Sequence, residues 1–333
     1  MRPKVSIIIP VYKVEKYIER CVRTLFGQTL DSLEFIFVDD CSPDNSIELL
    51  KKVLNDYPNR LEQVKIIRHE VNKGVGKSRQ DGVDAASGEY IIHCDPDDWV
   101  ELDMYEKMYT KATDENVDVV ICDYYENFSD SETLKKQEPD ELTSLSVLAN
   151  ITGLVPNKIN GCLWNKLMKR ELYNTVSFIP GVYIQEDDLI WVQLLDKEHS
   201  ISYIDSAFYH YWINRQDSLM KSFSKKTVID NMHALKFVDG IIKSNKSTQY
   251  QDCLKAWIGA WIIYRAFPCK EFSNKDFTQY FSEYDDYCSY SKEFNTIKLK
   301  LVKFACNRYH RQALFLCNIY QAVHRLWNKT KTK

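Results

Sequence analysis

The sequence predicts an α/β protein with a mostly parallel sheet flanked by helices and a helical C-terminal extension. Three observations predict it. Short apolar runs alternate with helical-period segments between residues 5 and 124. The connections are a few residues long, which suits strands joined by helical crossovers on both faces of a sheet. From about residue 224 onward nearly every segment can be read as helix.

Val5 to Pro10 is a short apolar run ended by proline, the pattern of a strand buried on both faces. Tyr17, Ile18, Cys21, Val22 and Leu25 then recur at helical spacing. Glu34 to Asp40 reads as a second buried strand, and Ser42-Pro43 as a helix start, a cap followed by proline at the first helical position. Ile47, Leu50, Leu54 and Tyr57 form that helix's apolar stripe. Further strands are expected at 64–68, 89–94 and 117–124, with helices at 76–86 and 101–115. After residue 125 the alternation lapses. Residues 129–141 are polar and acidic, the composition of a surface loop; 163–174 and 187–196 read as helices, and 200–212 as a strand. A boundary near 220 divides a first domain, 1–220, from a helical region, 221–333.

Only 10 glycines and 9 prolines occur in 333 residues, against 21 tyrosines. With 44% hydrophobic and 27% charged residues, this is neither a disordered, a collagenous nor a membrane-bundle composition. The net charge of −3 gives no global field for nucleic acid. It hides an asymmetry: beyond Glu293 there is no acidic residue, while Lys298, Lys300, Lys303, Arg308, Arg311, Arg325, Lys329, Lys331 and Lys333 are all basic. The 10 cysteines include no C-x-x-C pair, and the Met-Arg-Pro-Lys start runs directly into a strand without a secretory signal. Reduced thiols and a cytoplasmic location are expected. No run approaches the ~20 apolar residues of a membrane-spanning helix.

In a parallel α/β sheet, ligands bind beyond the carboxyl ends of the strands. Those ends carry Pro10-Val11-Tyr12, Asp39-Asp40 and Asp95-Pro96-Asp97-Asp98. Clustered carboxylates repel unless a cation or donors neutralise them. Asp-x-Asp after a buried strand suits Mg²⁺ or Mn²⁺, which take one or two protein carboxylates and leave positions for substrate phosphates; it also suits ordinary solvated loop acids. Asn72 to Gly82 is neither a Walker A loop nor a dinucleotide fingerprint. It is either a glycine-rich turn opening a helix or a helix whose Arg79 reaches the same rim.

Taken together, Val5 to Tyr12, Phe37 to Ser46, Asn72-x-Gly74 with Arg79 and Gly82, Ser87 to Tyr90 and Asp95 to Trp99 resemble, in order and spacing, the family-2 glycosyltransferases of the GT-A fold. The resemblance is strong over 3–125 and looser over 160–220. It implies a Rossmann-like catalytic domain with a nucleotide-sugar part at 3–125 and an acceptor part at 126–220. It also implies inverting transfer from a nucleotide-sugar donor, usually a UDP-sugar. Pro10, Val11 and Tyr12 would line the base pocket, Asp40 would accept from the uracil imide, and Arg79 would sit beside the base. Asp95 and Asp97 would hold a Mn²⁺ or Mg²⁺ ion bridging the two phosphates. In the stretch Gln185 to Trp191, Asp187 would be the general base and Glu186 an orienting neighbour, with Asp188 a third acid that blurs the assignment.

Two looser features follow. Trp164 to Leu172 resembles the family's Asn-Lys-Leu helix near the acceptor, with Lys166, or is simply a basic helix face. Tyr209 to Arg215 resembles a Tyr-x-Tyr-x-x-x-Arg segment, in which Arg215 or His210 would meet the diphosphate or metal unless His210 is merely packed. Lys13, Cys41, Pro96 and Gln80 depart from the residues common in the family. The basic, apolar stretch 295–333 is either a helical pair packed on the catalytic domain or a peripheral contact with anionic lipid at the inner face of the cytoplasmic membrane. The acceptor is expected to be a glycan or a lipid-linked sugar of bacterial surface polysaccharide synthesis, and nucleic acid is not expected to bind. The competing class is a non-catalytic sugar-nucleotide-binding module, against which the intact Asp97 and Asp187 argue.

Overall fold

The strand Val5–Val11 (β1) is buried along its whole length, as a run with no polar face must be. A computed structural model describes residues 2–156, 159–182, 184–213, 224–292 and 296–331. Two compact units emerge, one formed by 1–147 with 158–217 and the other by 148–157 with 218–333.

In the first unit β1 is followed by the helix Ile18–Phe26 (α1), the strand Leu33–Asp39 (β2), the helix Ser46–Leu54 (α2) and the strand Val64–Arg68 (β3). Next come the helix Val75–Ala85 (α3), the strands Tyr90–His93 (β4) and Trp99–Val100 (β5), the helix Met104–Asp114 (α4), and the strands Val119–Asn127 (β6) and Glu132–Lys135 (β7). The strand Lys166–Lys169 (β8), the helix Glu186–Leu194 (α6) and the strand Ile201–Trp212 (β9) complete it, and the helix Ser144–Ile151 (α5) begins in this unit and ends in the other. The sheet runs β3-β2-β1-β4-β8-β6-β9-β5, with β7 paired to β6.

This corrects the expectation of a mostly parallel sheet. β3, β2, β1 and β4 are parallel, but β8 enters antiparallel between β4 and β6, and β5 is antiparallel to β9. The sheet is mixed. The expected helix at 163–174 is also corrected. Met168 pairs with Ile91 on one side and Val119 on the other, so the segment serves as the strand that joins the two halves. Only Arg170–Asn174 keeps helical turns, of the tighter 3₁₀ kind. Sheet hydrogen bonds on both edges outweigh a weak local helical pattern. The polar stretch 129–141 likewise holds β7, whose exposed residues give it the composition of a loop.

Ser42-Pro43 does not open a helix directly. Ser42 Oγ and Ser46 Oγ both donate to Asp44 Oδ1 at 2.6 Å, and the helix begins only at Ser46. That turn also receives the chain leaving β1, because the Val14 and Lys13 amides donate to Ser46 Oγ and Ser42 Oγ. The buried Arg60 donates to the carbonyls of Phe26, Gln28, Leu30 and Asp31, satisfying the end of α1 and the loop after it. Gly82 lets α3 lie against β1; a Cβ there would stand 2.4 Å from Ile8 Cγ2.

The second unit contains the helices Lys225–Asp230 (α7), Met232–Ser244 (α8), Thr248–Trp261 (α9), Asn274–Phe281 (α10), Thr296–Phe304 (α11) and His310–Lys331 (α12). Ser224, Ser247 and Ser273 cap three of them through side-chain acceptors. Its core includes Phe272, Phe277 and Phe281, with His310 stacked on Phe277 at 4.2 Å. Among the described residues no helix is long and apolar enough to cross a membrane.

Candidate active site

Three chain segments bring charge to one place. Asp95 follows β4 two residues on, α3 carries Arg79 one turn after its glycine-rich start, and α6 opens with Glu186 and Asp187. The Arg79 guanidinium, 4% exposed, joins all three. Its Nη2 donates to Asp95 Oδ1 at 2.8 Å, and its Nη1 donates to Glu186 Oε1 at 2.8 Å and to Asp187 Oδ1. Nε is buried without a hydrogen-bond acceptor. Burial opposes the charge on Arg79, but Asp187, Asp95 and Glu186 outweigh it and hold its pKa above the ordinary arginine value. Burial pushes the Glu186 carboxyl up to about 8, reinforced by the charge of Asp187. Asp187 is also raised, by burial first and then by Asp95, while Arg79 and the Leu163 amide pull it back. Arg79, expected beside a nucleotide base, therefore stands among the carboxylates expected to do chemistry.

Asp40 is held at the end of β2 by several donors. The Lys73 amide donates to Oδ1 at 2.7 Å, the Gly74 amide to Oδ2 at 2.8 Å, and His69 Nδ1 lies 2.7 Å from Oδ1. The other nitrogen of His69 meets Asp81 on α3 at 2.9 Å. Gly74 makes this possible, since its φ of 85° turns the loop into α3. Pro10 and Val11 are buried at the end of β1, and Tyr12 emerges 38% exposed beneath the Lys13 ammonium. Lys13 and Cys41, two of the departures from the family pattern, have φ of 53° and 57°, where glycine and asparagine are favoured; Gln185, just before α6, has φ of 61°. Among the described residues, three of the five side-chain-bearing positions with positive φ thus lie at these strand and helix ends.

The Asp95–Asp98 turn is braced from beneath. Asp98 accepts from Tyr209 Oη and from the Trp212 amide, both at 2.8 Å, and burial raises its pKa strongly. Arg20 donates to the Asp97 carbonyl at 3.0 Å and lies 3.6 Å over the Trp99 ring. The opposite face of Trp99 stacks on His210 at 4.9 Å, and His210 stacks on Tyr125 at 5.0 Å. His210 also bonds Glu101 at 2.9 Å and approaches Asn127 at 3.3 Å. Both ring faces and both nitrogens of His210 are engaged within the protein. Lys166 is fully buried as well, donating to Asn160, Cys162 and Asn165, and burial lowers its pKa to about 8. It anchors the loop ahead of β8. Arg215 lies outside the described residues.

Sequence reasoning missed Arg20, His69 and the bracing role of Asp98. Arg20 sits on an amphipathic helix, where an arginine signals only a solvated face. His69 and Asp81 flank a glycine-rich loop without a spacing rule that pairs them.

Residues 6–182 match the model of a protein family described as glycosyl transferase family 2. The chain belongs to glycosyl transferase family 2. This glycosyltransferase is 33% identical to EpsH of Bacillus subtilis (strain 168), assigned as a glycosyltransferase by name only, over 67% of this chain and 64% of that protein. It is 28% identical to a cholesterol galactosyltransferase of Borreliella burgdorferi over 95% of this chain and 97% of that one. The structure resembles S. aureus TarS, solved with UDP-GlcNAc, with a TM-score of 0.73 at 18% identity over 96% and 92% of the two chains. That likeness shows a shared fold. As a family member, this glycosyltransferase moves a sugar from a nucleotide-sugar donor.

A divalent cation would need hard oxygen donors on this glycosyltransferase. Asp98 is committed to Tyr209 and Trp212, and Asp95 Oδ1 to Arg79. Among the described residues, no group of three or more His, Cys, Asp or Glu could hold a metal ion by itself. An ion of this kind can take as few as one or two protein carboxylates and complete its shell on substrate phosphates.

Proposed function

We propose that the chain transfers the sugar of a UDP-sugar, with inversion, to a hydroxyl of a glycan or lipid-linked acceptor. Asp187 is the general base. The observation that carries this reading is the convergence of Asp95, Glu186 and Asp187 on Arg79, just beyond the carboxyl end of β4. Pro10, Val11, Tyr12 and Asp40 form the nucleoside side. Asp95 and Asp97 would hold Mn²⁺ or Mg²⁺, which when bound offsets the charge of the diphosphate.

In the transfer itself, the acceptor oxygen attacks the anomeric carbon from the side opposite the diphosphate. A new carbon–oxygen bond forms as the bond to the phosphate oxygen breaks, and its electron pair leaves with UDP. The hydroxyl proton passes to Asp187. Glu186, with its pKa pushed up to about 8, shares the guanidinium and keeps the second acid oriented beside the base. The packed His210 and Lys166 act as supports of this site.

The test measures UDP release from UDP-glucose, UDP-galactose or UDP-GlcNAc with Mn²⁺ and a mixed glycan acceptor pool. Asp187→Asn is expected to lower turnover by about 10²–10⁴-fold, the usual scale of a lost general base. It should still gain thermal stability from UDP, because ligand binding to the native state stabilises by mass action. Normal turnover in Asp187→Asn would remove the base assignment.

The second unit supplies a membrane-facing surface in this reading. On α12, His310, Ala313 and Cys317 face inward, while Arg311, Phe315, Leu316 and Ile319 face outward. An apolar strip beside basic residues, in a stretch without acids, fits peripheral contact with anionic lipid at the cytoplasmic face of the membrane.

A further inference from the structure

Arg79 belongs by sequence to the donor half, yet two of its three carboxylate partners belong to the acceptor half. It lies 16 residues before Asp95 but 107 and 108 residues before Glu186 and Asp187. The approach of α3 to the segment leading into α6 does not depend on this side chain alone. Gln80 Oε1 accepts from the Phe178 amide at 3.0 Å. A Cβ on Gly76 would stand 3.5 Å from the Val182 carbonyl oxygen and 3.9 Å from Glu186 Cβ. One face of α3 is therefore fitted against Phe178, Val182 and Glu186, and Arg79 is the charged member of that face.

Three of the five N–H donors of the guanidinium go to carboxylates. It is 4% exposed, and Nη1 and Nη2 are both committed to carboxylates. Its planar fork holds carboxylates in fixed directions, which a lysine ammonium cannot do.

We propose that Arg79 is a positioning residue for the transfer: it fixes Asp187 in line with the donor-side carboxylate Asp95, so that the base is aimed by a side chain of the donor half. This rests on the reading of Asp187 as the base. Arg79 touches no reacting atom and acts through Asp187. A misplacement of about 1 Å in such a group costs about 10²-fold in rate.

The test uses the full chain with whichever of the three UDP-sugars the unaltered enzyme turns over. Arg79→Ala is expected to lower kcat by about 10²-fold, with the KM for donor and the affinity for UDP, measured calorimetrically, unchanged. Millimolar guanidinium should recover part of kcat in Arg79→Ala, but none in Arg79→Ala/Asp187→Asn. Arg79→Lys keeps the charge without the fork, so its kcat should also fall while UDP still binds. If Arg79→Ala fails to fold, Arg79→Lys decides the matter. Near-normal kcat in Arg79→Lys, a loss of UDP affinity that matches the loss of kcat, or no recovery with guanidinium in a folded Arg79→Ala would each overturn the proposal. The two readings fail separately: normal turnover in Asp187→Asn defeats the base assignment, whereas an inactive Asp187→Asn beside a fully active Arg79→Lys defeats the role of Arg79 alone.

Discussion

Glu186 and Asp187 are neighbours in the first turn of a helix, and both have raised pKa values because both are buried around one cation. With Asp187 as the proposed base, this would set the pH range of catalysis. A base works only when deprotonated, so kcat/KM should fall as pH drops through the folded-state pKa, and that limb should lie above the ordinary aspartate value of about 4. For Glu186 the consequence concerns stability. With a folded-state pKa near 8, above the unfolded value, the native state binds its proton more tightly. The resulting stability is present at low pH and lost as pH rises through 8. Glu186→Gln, which imitates the protonated acid, should therefore melt higher than the unaltered chain at pH 9, by about 2–4 °C for each kcal/mol recovered, and not at pH 5. Calorimetric melting at the two pH values checks this.

At the scale of elements, the site exists because α3 comes close to two things at once: β1 beneath it and the segment before α6 beside it. Gly82 governs the first approach. Gly82→Ala would push a methyl into Ile8 Cγ2, at 2.4 Å, on a strand with no room to move. Such overpacking costs about 1–3 kcal/mol, to be read as a lower urea midpoint. Gly240, exposed on α8 with no atom within 4 Å of its missing Cβ, offers the contrast. Gly240→Ala should stabilise by up to about 1 kcal/mol, the helix-propensity difference between the two residues, and so raise the midpoint. β8 makes a different point about elements. A segment of moderate helical pattern became a strand because β4 and β6 both had edges to fill.

At the scale of the molecule, the chain divides charge between its parts: the acids gather in the first unit, and the last forty residues have none. If the outward face of α12 meets lipid, the protein should sediment with vesicles containing anionic phosphatidylglycerol. Binding should weaken as salt rises, because surface charges are screened over about 10 Å at 0.1 M. Deleting 309–333 should abolish it. Absence of binding at low salt would leave the exposed apolar residues without a lipid role.

The sequence alone determined the parts whose signals are local. Alternating apolar runs located the parallel strands from β1 to β4, and the acids at strand ends marked Asp40, Asp95 and Asp97 as candidates, while Glu186 and Asp187 stood out only through the resemblance to family-2 glycosyltransferases. It did not reveal β8, β5 or β7, whose pairing depends on distant edges rather than on their own composition. Nor did it reveal what Arg79, Arg20 and His69 touch. Each reaches its partners across a sheet end, from Asp40 for His69 to Asp187 for Arg79, and the sequence pattern of a helix or loop says nothing about distances of that kind. Only the tertiary structure decided that one buried guanidinium meets three carboxylates, because Asp95, Glu186 and Asp187 lie 16, 107 and 108 residues along the chain from Arg79 and folding alone brings them to it.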